Sequence, residues 1–540
     1  MISTMPTTPG AGPGHTLERT LKLAVGLLAI LPLSFAFRPD RWVVDRPVSE
    51  DGYYALTVSR NIAEGKGVTI DGSTPTNGFQ PLYVFACVPL FALAGHDKIL
   101  AVRLVLGLSW VLYIGTAVLL GQIVRDFLGS SDELQARLTP WLAASLYLSA
   151  PLILIRSFNG LETGSLLFLY AAAWRCHQLN WEESPGKSVL FAILLGLIVL
   201  ARIDAAFFVV AACIGRRLPQ RQTNWRPWAR RFCKLAGISF VVSAGWWLNN
   251  LVRFHSILPS SGRAEQAWEV SAYRWERVAA ALLRNLVPWL YTEVHLDRSA
   301  GTVIRAIFLL CVVGAAVKYR AAVYQFVCDS NSKSDVARRT LEFIRWVAAS
   351  VAVLAAWYAL SSWAVHFYTR YMAPSTLVAV FVLASAAAST CLKMPRIAAA
   401  SAVLAIVPVL ILTVLLWHGG PVPNGFLRGQ VKLVERYASS RETVAAGQSG
   451  TLGYFRSRVV NLDGKVNPRA LEYQTRMWEY LPEVHARWLC DGPEYIRAYL
   501  GERPEKHGWI LVGREETFVL LRYEPRATLT AAAASPPEPH

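Results

Sequence analysis

Apolar runs of about 17–25 residues recur over most of the chain, each long enough to cross a hydrocarbon core about 30 Å thick. With their flanking charges they predict spans near 21–37, 99–124, 138–155, 162–178, 234–250, 302–323, 341–361, 371–390 and 396–416. Two short segments, 187–201 and 204–215, meet at Arg202-Ile203-Asp204. The run 81–95 is short for a crossing and is broken by Pro89, which predicts a helix at the outer interface. The expectation is a mainly α polytopic bundle of about eleven crossings, in a range of roughly nine to thirteen.

Two polar regions interrupt this pattern. Ser49–Leu82 follows the first span, and a connection this long inside an ordered protein is usually functional. From His418 onward apolar runs shorten and charges become frequent. Strands are predicted at Thr443–Gly447 and Val459–Leu462. A terminal hairpin is predicted at Trp509–Val512 and Phe518–Tyr523, joined by Gly513–Glu516. Pro468–Glu479 and Glu494–Leu500 read as helical. The expected organisation is a disordered cytoplasmic tail (1–20), a bundle (21–417) with an outer loop at 38–98, a small extracytoplasmic α/β domain (418–525) and a disordered tail (526–540).

Composition agrees with a membrane protein: 54% of residues are hydrophobic and 17% charged. The net charge of +17 invites a nucleic-acid reading. Its densest cluster, however, is Arg216, Arg217, Arg221, Arg226, Arg230, Arg231 and Lys234, which lies without an acid between two apolar segments. That is the mark of a cytoplasmic loop. It places Ser49–Leu82 outside, provided that 81–95 does not cross. No zinc-finger or RNA-binding pattern accompanies the charge. The eight cysteines show no CxxC and no ligand spacing. P-loop, HExxH, GxSxG and Rossmann glycine patterns are absent.

Candidate chemistry gathers on the outer side. Glu50 and Asp51 open an amphipathic segment just after the first span. A carboxylate there can act as a general base or share a divalent cation with a phosphate leaving group. Ser49 followed by two acids is equally a helix start, and capping does not exclude chemistry. Glu162 begins a span on the same side and carries the same two readings. Arg60, Lys66, Arg156, Arg202, Arg253, His255, Arg263 and Arg370 fall at outer positions, where an anionic lipid head would lie. Arg202 and Asp204 can instead pair with each other. Arg370-Tyr371 can anchor a span at the interface, and Leu258–Arg263 can be an ordinary turn.

The ordered set EDGYYALTVSRNIAEGKG, TPTNGFQPLYV, SFNGLETG, LARIDA, ILPSSGRA and YTRYMAP, followed by VAAGQSGTLGYFRSRVVNLDGKVN, resembles bacterial integral-membrane glycosyltransferases of the C superfamily. That group includes protein O-mannosyltransferases and lipid A aminoarabinose transferase. The resemblance covers nearly the whole chain between residues 20 and 525. It implies an enzyme of the bacterial cytoplasmic (inner) membrane that transfers sugar from a polyprenyl-phosphate donor to a lipid, glycan or protein acceptor, with inversion.

The first-loop acid of the group falls on Asp51 or Glu50. Where many relatives carry Asp-Asp this chain has Glu-Asp, so Asp51 is taken as the base and Glu50 as a metal or acceptor contact. Glu162 falls on the second acid as an acceptor or metal contact. Arg263 and Arg370 are implied as donor-phosphate contacts, with Lys66 and Arg60 beside them. Some members use a divalent cation, Mg or Mn, for which Glu50 and Asp51 are the candidate ligands here. Membrane lipids are further partners and nucleic acid is not. The alternatives are a lipid-linked glycan transporter and an oligosaccharide ligase or polymerase.

Overall fold

The computed structural model describes residues 13–130, 132–215, 225–290, 334–390, 400, 403–404, 406–417, 426–515 and 517–524. Four helices are long and apolar enough to cross a membrane: His15–Phe37, Lys98–Leu128, Arg226–Phe254 and Asp335–Ser361. Two bent pairs raise the total to six among the described residues. The expected span 302–323 lies outside them, as do a third of 396–416, residues 291–300 and the tail 526–540.

The first helix starts at Pro13, inside the stretch expected to be a tail. Proline suits a first helical turn because its missing N–H would lack an intrahelical partner there anyway. Lys98–Leu128 shows how sequence sets its own limits. The Asp97 carboxylate accepts from Ile99 N and Leu100 N, and Gly129 closes the helix in the left-handed region at φ 53°. The expected span 138–155 is two helices, Glu133–Leu148 and Pro151–Phe158, inclined by 69°. Pro151 has no N–H to continue the ladder, so the chain turns there. Pro81–Ala94 packs on Glu50–Ala63 and on Lys98–Leu128.

The C-terminal domain has a five-stranded sheet in the order β2-β1-β3-β5-β4. Its strands are β1 (Val444–Ala446), β2 (Val459–Asn461), β3 (Trp488–Asp491), β4 (Trp509–Glu515) and β5 (Phe518–Tyr523). β1 runs parallel to β2 and β3, and β5 runs antiparallel to β3 and β4. β4 continues through the segment expected as the hairpin turn, with a register shift between Leu511 and Gly513. Alternation along β1 serves two cores. Val444 and Ala446 pack beneath the helix Phe426–Tyr437, while Ala445 faces the cluster of Tyr480, Leu481, Leu500 and Trp509.

This domain is not a loose appendage. Tyr454 and Val466 belong to the same apolar cluster as the bundle helices, and the helix Gly450–Phe455 lies along Glu50–Ala63.

Candidate functional site

The site is assembled where four turns meet at one end of the bundle. Ser49 caps the helix Glu50–Ala63: its Oγ accepts from Gly52 N at 3.2 Å and donates to Asn159 O at 3.0 Å. The approach is close enough that a Cβ on Gly52 would stand 2.4 Å from the same carbonyl. The Thr76–Gly78 turn meets the Ser260 turn through Asn77, whose Oδ1 accepts from Ser260 N at 3.0 Å. Ser260 Oγ then donates to Lys465 O at 2.8 Å, which joins both turns to the C-terminal domain.

A cavity of about 70 Å³ lies between them, lined among others by Asp51, Gln80, Glu162, Glu265, Arg370 and Lys465. Asp51 presents Oδ2 to Arg370 Nη1 and Oδ1 to Lys465 Nζ, both at 3.7 Å, with 23% of its side chain exposed. Both separations exceed a hydrogen bond, so its lone pairs are not consumed by its neighbours. Lys465 Nζ is also 3.9 Å from Glu265 Oε1, and Glu265 Oε2 accepts from Tyr371 OH at 2.8 Å. Phe367 floors the cluster, its ring 4.6 Å from the Arg370 guanidinium carbon and 4.8 Å from Lys465 Nζ.

Burial works against the Lys465 charge, yet Asp51, Asp463 and Glu265 outweigh it and hold the ammonium above its ordinary range. Burial pushes the Glu265 carboxyl up, against Lys465 and the Tyr371 hydrogen bond. Asp463 is likewise pushed up by burial, against Lys465 and its amide.

Glu162 is buried and pairs with Arg202 Nη1 at 3.1 Å. Arg202 also grips both oxygens of Asp204, which accepts from Tyr358 OH at 2.6 Å. Of the two readings open for Arg202 and Asp204, the geometry has the mutual pair. It braces the break between the helix Pro185–Ala201 and the short helices after it.

The other expected site residues separate. Glu50 is turned away from the cavity: its carboxylate accepts from Gly450 N, from Thr451 N at 3.0 Å and from Thr451 Oγ1 at 2.6 Å. Burial pushes its carboxyl up, against these hydrogen bonds. Arg60 serves the other end of that helix, donating to Tyr454 O and, at 3.5 Å, to Gly453 O. Lys66 is half-exposed and pairs with Glu64. Arg263 is exposed and does not line the cavity, although Ser261 does. Arg253 and His255 are exposed as well. Arg103 ties down Ala36 O, Arg38 O and the Asp40 carboxylate.

Glu50 and Asp51, the expected ligands, do not form a shared donor set for a divalent cation. Glu50 and Asp51 diverge, Glu50 is spent on backbone amides, and Asp51 stands between two cations that would repel a third. Among the described residues no three His, Cys, Asp or Glu side chains converge on a metal position.

Sequence reasoning missed Lys465 and Glu265. The only local signal was the Asp463-Gly464-Lys465 turn just after β2, where α/β folds commonly present functional groups.

No protein-family model and no curated sequence matches the chain. Among solved structures it is similar to ArnT from Cupriavidus metallidurans bound to undecaprenyl phosphate, at 16% identity and a TM-score of 0.48, covering 95% of this chain and 98% of that one. It is also similar to the Archaeoglobus fulgidus oligosaccharyltransferase in complex with Zn and sulfate, at 14% identity and a TM-score of 0.47, covering 93% and 73%. A third is AglB from Archaeoglobus fulgidus with an inhibitory peptide and a dolichol-phosphate, at 13% identity and a TM-score of 0.44, covering 92% and 74%.

Proposed function

We propose that the chain transfers a sugar from a polyprenyl-phosphate-linked donor to an acceptor hydroxyl, with Asp51 as the general base. The observation that carries this reading is the setting of Asp51, a partly exposed carboxylate on a cavity wall with a cation 3.7 Å from each oxygen. The acceptor O–H gives its proton to Asp51 while its oxygen attacks the anomeric carbon. The bond from that carbon to the phosphate oxygen breaks with its electron pair leaving on phosphate, and a single displacement inverts the anomeric centre. Arg370 offsets the charge that develops on the leaving phosphate.

A second feature supports a lipid-linked donor. An apolar groove of about 790 Å³ runs between Ala206–Ile214 and Arg226–Phe254, with Val210, Phe240, Leu248 and Ile257 along it, and suits a prenyl chain. In this reading the bundle has about eleven crossings. The cavity and the 418–525 domain face outward from a bacterial cytoplasmic membrane, and 81–95 lies at the outer interface. The gathering of the candidate acids at one end favours an enzyme over a transporter. The test is transfer from a labelled polyprenyl-phosphate monosaccharide by the reconstituted protein. Transfer that is absent in wild type, or undiminished in Asp51→Asn, overturns the reading; transfer only of a preassembled glycan favours a ligase.

A further inference from the structure

Lys465 reaches the cavity from the C-terminal domain, and its backbone is fixed there from both sides of the interface. Ser260 Oγ donates to its carbonyl at 2.8 Å, Gly78 leaves room for that carbonyl only by lacking a side chain, and the Asp463 carboxylate accepts from Lys465 N at 2.8 Å. The domain is itself pinned. Glu50 and Arg60 hold the two ends of Gly450–Phe455, and Tyr54 OH donates to Gly447 O at 2.8 Å. A long flexible side chain is thus delivered to one place by an unusually constrained turn.

At that place its donors are unspent. The ammonium is 3.7 Å from Asp51 and 3.9 Å from Glu265, both beyond hydrogen-bond length, and it faces the same cavity as Arg370. Arg370 and Lys465 stand on either side of Asp51 and line the same cavity, so an anion bound there is held by both. We propose that Lys465 is a direct ligand of the anionic phosphate of the lipid-linked donor, so that the site is complete only with the C-terminal domain docked. This rests on the donor reading above and adds to it a phosphate contact from outside the membrane bundle. Its ammonium, kept charged by Asp51, Asp463 and Glu265, is available for that contact over the ordinary pH range.

The experiment uses the full chain in nanodiscs and a short-chain polyprenyl monophosphate as probe, with the matching polyprenol as control, binding being read by intrinsic tryptophan fluorescence. Wild type is expected to prefer the phosphate to the alcohol. Lys465→Met is expected to weaken phosphate binding by about tenfold or more and leave the alcohol unchanged. Lys465→Arg is expected to regain most of the loss, and Arg441→Met, which removes an exposed cation of the same domain, to bind as wild type does. Lys465→Gln covers the case in which Lys465→Met lowers the melting temperature. A preference retained in both neutral variants overturns the role of Lys465 alone. A wild type that does not distinguish phosphate from alcohol overturns the donor reading and this inference with it.

Discussion

A methyl group on Gly78 would stand 1.8 Å from the carbonyl oxygen of Lys465. Backbone cannot yield that much, so Gly78→Ala must push the Lys465 turn off the cavity. A displacement on the scale of 1 Å lowers the transfer rate by about 10²-fold, measured with the labelled donor. Ser260→Ala removes only the hydrogen bond to the same carbonyl and costs about 1 kcal/mol of docking. Equal effects of the two variants would contradict the steric account.

Asp51→Asn keeps the shape of the cavity wall and removes the proton acceptor. The transfer rate should fall by about 10²–10⁴-fold. The melting temperature should fall only slightly, because the carboxylate makes no hydrogen bond in the described structure but offsets the charges of Arg370 and Lys465, each 3.7 Å away.

Glu50→Ala should behave in the opposite way. It strips acceptors from Gly450 N, Thr451 N and Thr451 Oγ1 in a buried interface, at a cost of about 1–3 kcal/mol. The expected signature is faster proteolytic release of the C-terminal domain and a lower melting temperature, with a smaller loss of activity than in Asp51→Asn once the domain is docked. If both variants abolish transfer and neither changes stability, the division of labour between the two acids is wrong.

That division also marks how far sequence reasoning reaches. The Ser49 cap, the helix behind it, the Arg202–Asp204 pair and strands β1, β2, β4 and β5 all follow from neighbours within a few residues, where periodicity and capping rules apply. Glu50 could not be told from Asp51 in that way, because its partner Gly450 lies 400 residues away. Arg60 and Lys66 were grouped by position alone, and their partners, Tyr454 for one and Glu64 for the other, part them. β3 was missed although it is a residue longer than β1 or β2, because Trp488–Asp491 contains no β-branched residue. Cys490 on β3 is buried at the centre of the sheet. Lys465 enters the site only through a tertiary interface between two separately legible pieces.

The same interface should loosen as pH rises. Asp491, at the end of β3, is pushed up to about 7 by burial, although Gly447 N at 2.6 Å, Gly492 N at 2.9 Å and Gln448 N favour its charged form. In the unfolded chain the carboxyl loses its proton near the ordinary 3.8. Between those values the native state binds more protons than the unfolded one, so stability is full below about 4 and is lost as pH rises through about 7. Burial shifts Glu50, Asp463 and Glu265 in the same direction, which adds to the trend. Gly447 carries both the N–H that donates to Asp491 and the carbonyl that Tyr54 holds, which couples Asp491 to the loop that docks the domain. The melting temperature of the full chain should therefore decline from mildly acid to mildly alkaline buffer. Asp491→Asn forfeits one backbone contact and should melt lower in acid, but with a shallower decline. A wild-type melting temperature that rises across this window, or an unchanged slope in Asp491→Asn, would show that Asp491 does not set it.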